Sequence, residues 1–152
     1  MSMETLHIRP FAPTDKKLVE DFFDAMGPES RAFFNRLDGN RNLALRAFEP
    51  GDTDVLRWLA EDEGRMVGYI FTWDIQSSIP WIGIAVADDY KGRHLGHRLL
   101  ETVKQWAVGL GKGGLLLTTH QANIRAQVLY EKFGFTRMGT HWGGEVLYLL
   151  HW

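Results

Sequence analysis

The chain has no cysteine, and it has no long hydrophobic run. The absence of cysteine excludes disulfide bonds, thiolate metal sites and a cysteine nucleophile. No apolar stretch approaches the roughly 18 residues that a membrane-spanning helix needs, and residues 1–7 lack the apolar segment of a secretory signal. The sequence therefore predicts a soluble cytoplasmic protein without a membrane partner.

An excess of positive charge is also missing, because 17 lysines and arginines stand against 19 aspartates and glutamates. Proteins that bind nucleic acid non-specifically usually carry a basic surplus, so nucleic acid is not a predicted partner. What is present is a globular composition, with 45% hydrophobic and 24% charged residues. The length suits one domain, which is predicted to cover residues 1–152.

The spacing of apolar residues predicts an α/β (α+β) fold with a central mixed, mostly antiparallel sheet flanked by helices. Strands are predicted at residues 5–9, 55–60, 66–73, 79–86, 115–119, 135–140 and 146–150. Helices are predicted after residues 13–15, after residues 27–28, after a loop at residues 88–96, and over residues 123–132. The second helix should end at residues 38–40, residues 43–48 suit either a short helix or an extended segment, and strand 79–86 should be buried on both faces.

The most informative segment, residues 84–100, is a buried strand, a glycine loop and the start of a long amphipathic helix. Backbone N–H groups at a helix start lack intrahelical partners and lie at the positive end of the helix dipole, so they can bind a phosphate. Gly92 and Gly96 allow close approach of a ligand. Positive charge comes from Lys91, Arg93, His94, His97 and Arg98. Together these features indicate a diphosphate ligand, although an isolated two-glycine loop also suits an ordinary strand–helix turn.

Two segments carry a family resemblance. Residues 91–96 read Lys-Gly-Arg-His-Leu-Gly, and residues 123–135 read Asn-Ile-Arg-Ala-Gln-Val-Leu-Tyr-Glu-Lys-Phe-Gly-Phe. They resemble the Arg/Gln-x-x-Gly-x-Gly/Ala loop and the Asn-x-x-Ala-x-x-x-Tyr-x-Lys-x-Gly-Phe element of the GNAT superfamily of N-acetyltransferases, one helix and one strand apart. The resemblance implies transfer of an acetyl group from acetyl-CoA, as co-substrate, to an amine of a small molecule or a protein.

The resemblance also implies roles for individual residues. Tyr130 would be the general acid that protonates the departing thiolate, or its ring could merely pack the helix. Asn123 would contact the pantetheine arm, or it could be a simple helix N-cap. Residues 84–86 would offer backbone groups to the thioester where their strand splays from the fifth. The implied cofactor contacts are Ile84, Ala85, Val86, Lys91, Gly92, Arg93, His94, Leu95, Gly96, His97, Asn123, Ala126 and Tyr130.

The loop departs from the family pattern at two positions. Lys91 replaces arginine or glutamine and keeps a hydrogen-bond donor. His94 replaces the central glycine, which would cost about 1–2 kcal/mol of strain if the φ angle there is positive. This replacement and the lack of a carboxylate at residues 81–86 are the features in favour of an alternative, a catalytically inactive acetyl-CoA-binding sensor or regulatory module, whereas Tyr130 and the intact second segment speak against it.

The remaining candidate residues leave alternatives open. Asp74 and His120 could serve as the general base through a water, but a turn-capping aspartate and a strand-end histidine are the simpler interpretations, and Glu145 is a weaker candidate. No paired histidine spacing suggests a metal site. Several aromatic side chains could line an acceptor pocket or fill the core: Phe22, Phe23, Phe33, Phe34, Trp73 and Trp142. Closing strands that end in residues 148–152 could pair between subunits, which predicts a homodimer.

Overall fold

The computed structural model describes residues 5–33, 37–51 and 54–152, without the side chains of residues 31–40 and 142. Within these ranges the strands are β1 (Leu6–Pro10), β2 (Leu56–Asp62), β3 (Arg65–Trp73), β4 (Trp81–Val86), β5 (Gly114–Thr119), β6 (Thr136–Thr140) and β7 (Val146–His151). The α-helices are α1 (Lys16–Asp24), α2 (Pro28–Phe33), α3 (Leu37–Leu45), α4 (Leu95–Gly109) and α5 (Ile124–Phe133). Short 3-10 helices cover Arg46–Phe48, Asp88–Tyr90 and Trp142–Gly144.

The strands form one sheet in the order β1-β2-β3-β4-β5-β7-β6. Neighbouring strands pair antiparallel, except for the parallel pair β4 and β5. Glu63 and Gly64 turn the chain between β2 and β3 with φ angles of 52° and 78°, the left-handed values of a two-residue hairpin turn. The predicted fold class, a mixed and mostly antiparallel sheet flanked by helices, is confirmed.

Helices pack against both faces of the central strand β3. On one face, the ring of Phe23 in α1 lies 5.8 Å from the ring of Tyr69. On the other, a Cβ atom at Gly68 would lie 3.0 Å from Leu99 of α4. Because successive strand residues point to opposite faces, α1 and α4 lie on opposite sides of the sheet. This two-sided core holds β3, and through it β4, in place.

The second predicted helix boundary is wrong. Residues 38–40 lie inside α3, which continues to Leu45 before the 3-10 helix Arg46–Phe48. A glycine inside a helix costs only about 1 kcal/mol relative to alanine. Packing of α3 against α1 outweighs that cost, and Arg41 of α3 donates a 3.1 Å hydrogen bond to Asp24. Residues 43–48, left open by the sequence, are helical.

Two further expectations about strands are also wrong. The predicted strand 79–86 begins at Trp81, and it is not buried on both faces, because Ile84 and Val86 are only half-buried. The closing strand β7 is not an edge, since it pairs with β5 on one side and with β6 on the other. Subunit pairing through residues 148–152 therefore has no open strand edge, while a homodimer as such stays a prediction. Across the described part of the chain, no helix combines the length and the apolar character needed to span a membrane.

Candidate functional site

The two parallel strands in the middle of the sheet separate soon after they meet. In the described sheet, β4 and β5 pair at one position, Trp81 opposite Leu116. The Ala87 N–H donates to the Val67 carbonyl at 2.8 Å. Because backbone groups alternate sides along an antiparallel strand, the N–H and C=O of Ile84 and Val86 face away from β3 and into the gap. The predicted splay of this strand from its neighbour is therefore present, with polar groups directed into the gap.

A cleft of about 720 Å³ opens at this gap, and we call it the β4–β5 cleft. The turn between α1 and α2, the end of β4, the loop before α4, and α5 form its walls. Of the cofactor contacts predicted from the sequence, those that line it are Ile84, Ala85, Val86, Lys91, Gly92, His94, Leu95, Gly96, His97, Asn123, Ala126 and Tyr130. Residues that are far apart in the sequence therefore line the same cleft, as contact with a single ligand would require.

The loop before α4 has the backbone form of an anion site. Gly92 and His94 both take left-handed φ angles, 79° and 68°, and Leu95 directly after them begins the helix. The N–H groups of the first residues of a helix have no intrahelical partners, so those at the start of α4 are available to a ligand. The positive end of the α4 dipole lies at the same place. The loop therefore favours an anionic group such as a phosphate.

The φ angle of His94 is positive, so the backbone strain that the sequence predicts for a positive φ at this position applies. Its ring stacks on that of His97 at a centroid distance of 4.3 Å, which offsets part of the strain. We expect His94→Gly to raise the free energy of unfolding by roughly 0.5–1 kcal/mol, because glycine relieves a left-handed cost of about 1–2 kcal/mol but adds chain entropy. Urea denaturation measures this change. His97→Gly is the control: it lies inside α4 and should lower the free energy of unfolding by about 1 kcal/mol. A lower free energy of unfolding in His94→Gly would mean that the backbone at residue 94 is not strained.

The cations around the cleft differ in part from those expected, since Lys91, His94 and His97 line it but Arg93 and Arg98 do not. Arg93 is turned away, with its guanidinium 4.8 Å from the centre of the Tyr90 ring. Arg98 is not among the lining residues, whereas Arg125 and Lys132 are. These two lie seven residues apart on α5, a spacing that places side chains on one helix face. That spacing on one helix is the sequence signal by which these two residues could have been found.

Asp88 ties the α1–α2 turn to the loop before α4. Its carboxylate accepts hydrogen bonds from the Gly27 N–H at 2.7 Å and the Ser30 hydroxyl at 2.5 Å. Lys91 donates to the same Ser30 oxygen at 2.6 Å. The hydrogen bond from Ser30 is the main reason why the pKa of Asp88 lies below its usual value. A Cβ at Gly27 would lie 2.7 Å from the carboxylate, so this contact depends on glycine there.

Tyr130 lies on α5 and is one of the residues that line the cleft. Only 5% of its surface is exposed, and its ring lies 5.8 Å from the rings of Phe135 and Tyr148. Burial, followed by the charges of Tyr148 and Glu145, raises the pKa of the hydroxyl far above its usual value. The group therefore stays protonated at neutral pH and can act as a hydrogen-bond donor. The two interpretations of Tyr130, a ring that packs in the core and a proton donor, are compatible, because the ring is buried and the residue also lines the cleft.

Asn123 holds the start of α5. Its side-chain oxygen accepts a hydrogen bond from the Ala126 N–H at 3.2 Å, so the N-cap interpretation is confirmed. At the other end, Gly134 has a φ of 118° and closes the helix in the left-handed conformation. Contact of Asn123 with a cofactor stays a prediction, and its place in the cleft wall is compatible with it.

None of the three predicted base candidates, Asp74, His120 and Glu145, is among the residues that line the β4–β5 cleft. The Nδ1 of His120 accepts a hydrogen bond from the Ala122 N–H at 3.0 Å, which occupies the lone pair that a neutral imidazole would need as a base. Asp74 is exposed, with a left-handed φ of 56° and its carbonyl bonded to Ser77, so it acts as a turn residue. Half-buried Glu145 contributes to the raised pKa of Tyr130. The described residues contain no group of three or more potential metal ligands.

Comparisons with known proteins identify the family and agree with the fold. A model of the Acetyltransferase (GNAT) family matches residues 16–135. Streptothricin acetyltransferase of Escherichia coli is 37% identical over 94 residues, which are 60% of this chain and 53% of that protein. The chain spans about half the length of the curated relatives it matches.

Solved structures share the fold over nearly the whole chain. PaiA N-acetyltransferase of Thermoplasma acidophilum, solved in complex with coenzyme A, is 16% identical, with a TM-score of 0.81 and full coverage of both chains (100% and 100%). A GNAT-family acetyltransferase of Streptococcus pneumoniae is 25% identical, with a TM-score of 0.72 and coverage of 95% of this chain and 96% of that one. The match of the family model over most of the sequence leads to one conclusion: this chain belongs to the Acetyltransferase (GNAT) family.

Proposed function

We propose that the protein is an N-acetyltransferase that moves the acetyl group of acetyl-CoA to an amine of a small molecule or a protein. One observation carries the proposal: the gap between β4 and β5 opens into a single cleft that holds both the anion-binding loop and Tyr130. Residues 1–152 would act as one catalytic domain in the cytoplasm. The complex of PaiA N-acetyltransferase with coenzyme A supports acetyl-CoA as the co-substrate.

The walls of the cleft suit the successive parts of acetyl-CoA. The diphosphate would bind the N–H groups of the loop at Gly92–Gly96, with Arg125 and Lys132 supplying positive charge. The pantetheine arm would run along the open side of β4 and hydrogen-bond to the backbone of Ile84 and Val86. The thioester would then lie near Tyr130, which shares the cleft with both. Acetyl-CoA supplies the activated acetyl group in the reaction.

The chain's own groups account for the charge that develops during transfer. The acceptor nitrogen forms a bond to the thioester carbonyl carbon, and a backbone N–H of β4 stabilises the negative charge on the carbonyl oxygen. The bond to sulfur then breaks, and Tyr130 donates a proton to the departing thiolate. Glu145, the carboxylate whose charge reaches Tyr130, is our candidate for accepting the proton of the amine. Like Asp74 and His120, Glu145 is not among the residues that line the cleft, and it is preferred to them because its charge acts on Tyr130.

The decisive experiment is release of free thiol from acetyl-CoA in the presence of a panel of amines, with mass spectrometry of the products. An enzyme should release thiol in step with a mass gain of one acetyl group on the acceptor. A catalytically inactive acetyl-CoA sensor should bind acetyl-CoA in calorimetry and release no thiol with any acceptor. Binding without turnover across metabolite extracts and peptides would therefore count against the proposed function.

Gly96 tests where the diphosphate binds. Gly96 lines the cleft, and a Cβ there would lie 2.7 Å from Leu129, another lining residue, so a larger side chain fits only by displacing Leu129 or by entering the cleft. We expect Gly96→Leu to weaken acetyl-CoA binding at least about 10-fold, because the side chain takes the space of the phosphates. Titration calorimetry gives the dissociation constant. Gly109→Leu, in open space at the other end of α4, is the matched control and should bind normally; equal affinities for the two variants would place the diphosphate elsewhere.

A further inference from the structure

Aromatic rings continue from the core to the surface along β3 and β4. Phe71 stacks on Trp73 at 5.4 Å with an angle of 24° between the rings. Trp73 stacks on Trp81 at 6.1 Å and 11°, and Trp81 meets His141 at 5.3 Å. We call these four residues the aromatic row. Its members come from three parts of the chain, so the fold itself assembles it.

The row changes from buried to exposed along its length. Phe71 is 5% exposed, whereas Trp73 keeps 37% of its surface open. Phe22 and Phe23, which the sequence offered as pocket or core, are buried at 5% and 1%. The exposed part of Trp73, beside the nearly parallel indole of Trp81, is an electron-rich surface of the kind that attracts cations. The described structure leaves this end of the row open for a ligand.

Two connections join the row to the β4–β5 cleft. Trp81 and Ile84 are three residues apart on β4, so they lie roughly 10 Å apart along the strand. The β6–β7 connection places His141 on Trp81, and the His141 N–H donates to the Glu145 carbonyl at 2.7 Å. The charge of Glu145 in turn reaches Tyr130. A molecule reacting at Tyr130 could therefore extend along β4 to the row.

We infer that the aromatic row is a subsite for the acceptor, and that the preferred acceptor is a primary amine with a second positive charge roughly 10 Å from the reacting nitrogen. This inference rests on the proposed function and names its substrate class. The exposed indole of Trp73 holds the second cation by cation–π attraction. Asp74, exposed directly after Trp73, adds a carboxylate at the same end of the strand, which favours a cation over a neutral ring.

The test uses two acceptors that differ only in a fixed charge. The first is (7-aminoheptyl)trimethylammonium, and the second is 8,8-dimethylnonan-1-amine, in which carbon replaces the quaternary nitrogen. We expect kcat/KM of the wild type to be about 10-fold higher for the ammonium compound. Trp73→Leu and Trp81→Leu should bring the two values within about twofold of each other. Trp152→Leu is the matched control, since Trp152 is 44% exposed and lies outside the row, and it should keep the preference.

A second measurement keeps this inference separate from the proposed function. Tryptophan fluorescence, with coenzyme A in place of acetyl-CoA, reports binding of both compounds without chemistry. Equal kcat/KM values for the two acceptors, or a preference that persists in Trp73→Leu, would overturn the subsite and leave acetyl transfer standing. Failure to acetylate either compound would leave the proposed function to the amine panel, and binding of the two compounds would then decide the subsite. Charge-selective binding that is lost in Trp73→Leu would still support the subsite, and equal binding of the two compounds would overturn it.

Discussion

Replacing Tyr130 by phenylalanine should lower kcat by about 10²–10⁴-fold and leave the affinity for acetyl-CoA nearly unchanged. The hydroxyl acts where charge develops on the departing sulfur, so its contribution is larger in the transition state than in the ground state. The ring and its contacts with Phe135 and Tyr148 remain, so α5 should keep its packing. Steady-state thiol release gives kcat, and calorimetry gives the affinity.

Tyr148→Phe is the matched control for this experiment. Tyr148 is also buried, and its hydroxyl donates to Glu131 at 2.7 Å. Its removal should cost about 1 kcal/mol of stability and change kcat less than 10-fold. Because the pKa of Tyr130 is raised by burial, ionisation of this group should cause no loss of wild-type rate below about pH 10. Equal single-turnover rates for wild type and Tyr130→Phe would remove Tyr130 from the mechanism.

The parts of the site that could be predicted from the sequence are those whose local chemistry requires one residue type. Asn123 reads as an N-cap and Gly134 as a helix end, and both are so in the structure. The glycine loop before α4 could be located because helix starts that bind anions share a recognisable backbone requirement. In each case the signal lies within a few residues of the chain, so no long-range contact is needed to interpret it.

Side-chain direction could not be predicted in the same way. The guanidinium of Arg93 lies over the Tyr90 ring. The Tyr90 hydroxyl donates a hydrogen bond to Asp62, which stands some thirty positions earlier in the sequence. Lys91 reaches back to Ser30. Such choices depend on groups that only the folded sheet brings together. The continuation of α3 through residues 38–40 has the same origin, since packing against α1 decides it and local propensity does not.

The order of the last three strands is a further case. Sequence pattern predicts that β6 and β7 pair, but it does not say which of them joins β5. The structure inserts β7 between β5 and β6, so β7 is the strand that contacts β5 along its whole length. This arrangement puts the start of β7, with Glu145 just before it, beside the end of β5 and near Tyr130. The position of a base candidate thus follows from strand order, which periodicity cannot supply.

Gly114→Ala should give the largest loss of stability, about 3 kcal/mol or more, with a melting temperature roughly 10 °C lower. Gly114 begins β5 opposite His151, and a Cβ there would overlap the backbone carbonyl oxygen of Leu150. A flexible side chain could move aside, but this oxygen belongs to the β5–β7 pairing and cannot move without breaking it. Thermal and urea denaturation measure the effect.

Gly109→Ala separates the steric effect from the general effect of replacing a glycine. Gly109 is the last residue of α4, and nothing lies within 4 Å of its added Cβ, so this change should stabilise the protein by roughly 0.5–1 kcal/mol. The two variants should therefore shift the denaturation midpoint in opposite directions. Gly114→Ala should also weaken acetyl-CoA binding, because β5 forms one side of the gap between β4 and β5. A shift of β5 would change the width of this gap past the point where Trp81 pairs with Leu116. A denaturation midpoint of Gly114→Ala equal to that of the wild type would mean that β7 moves to accommodate the added Cβ. In that case the pairing of β5 with β7 would not determine the width of the gap between β4 and β5.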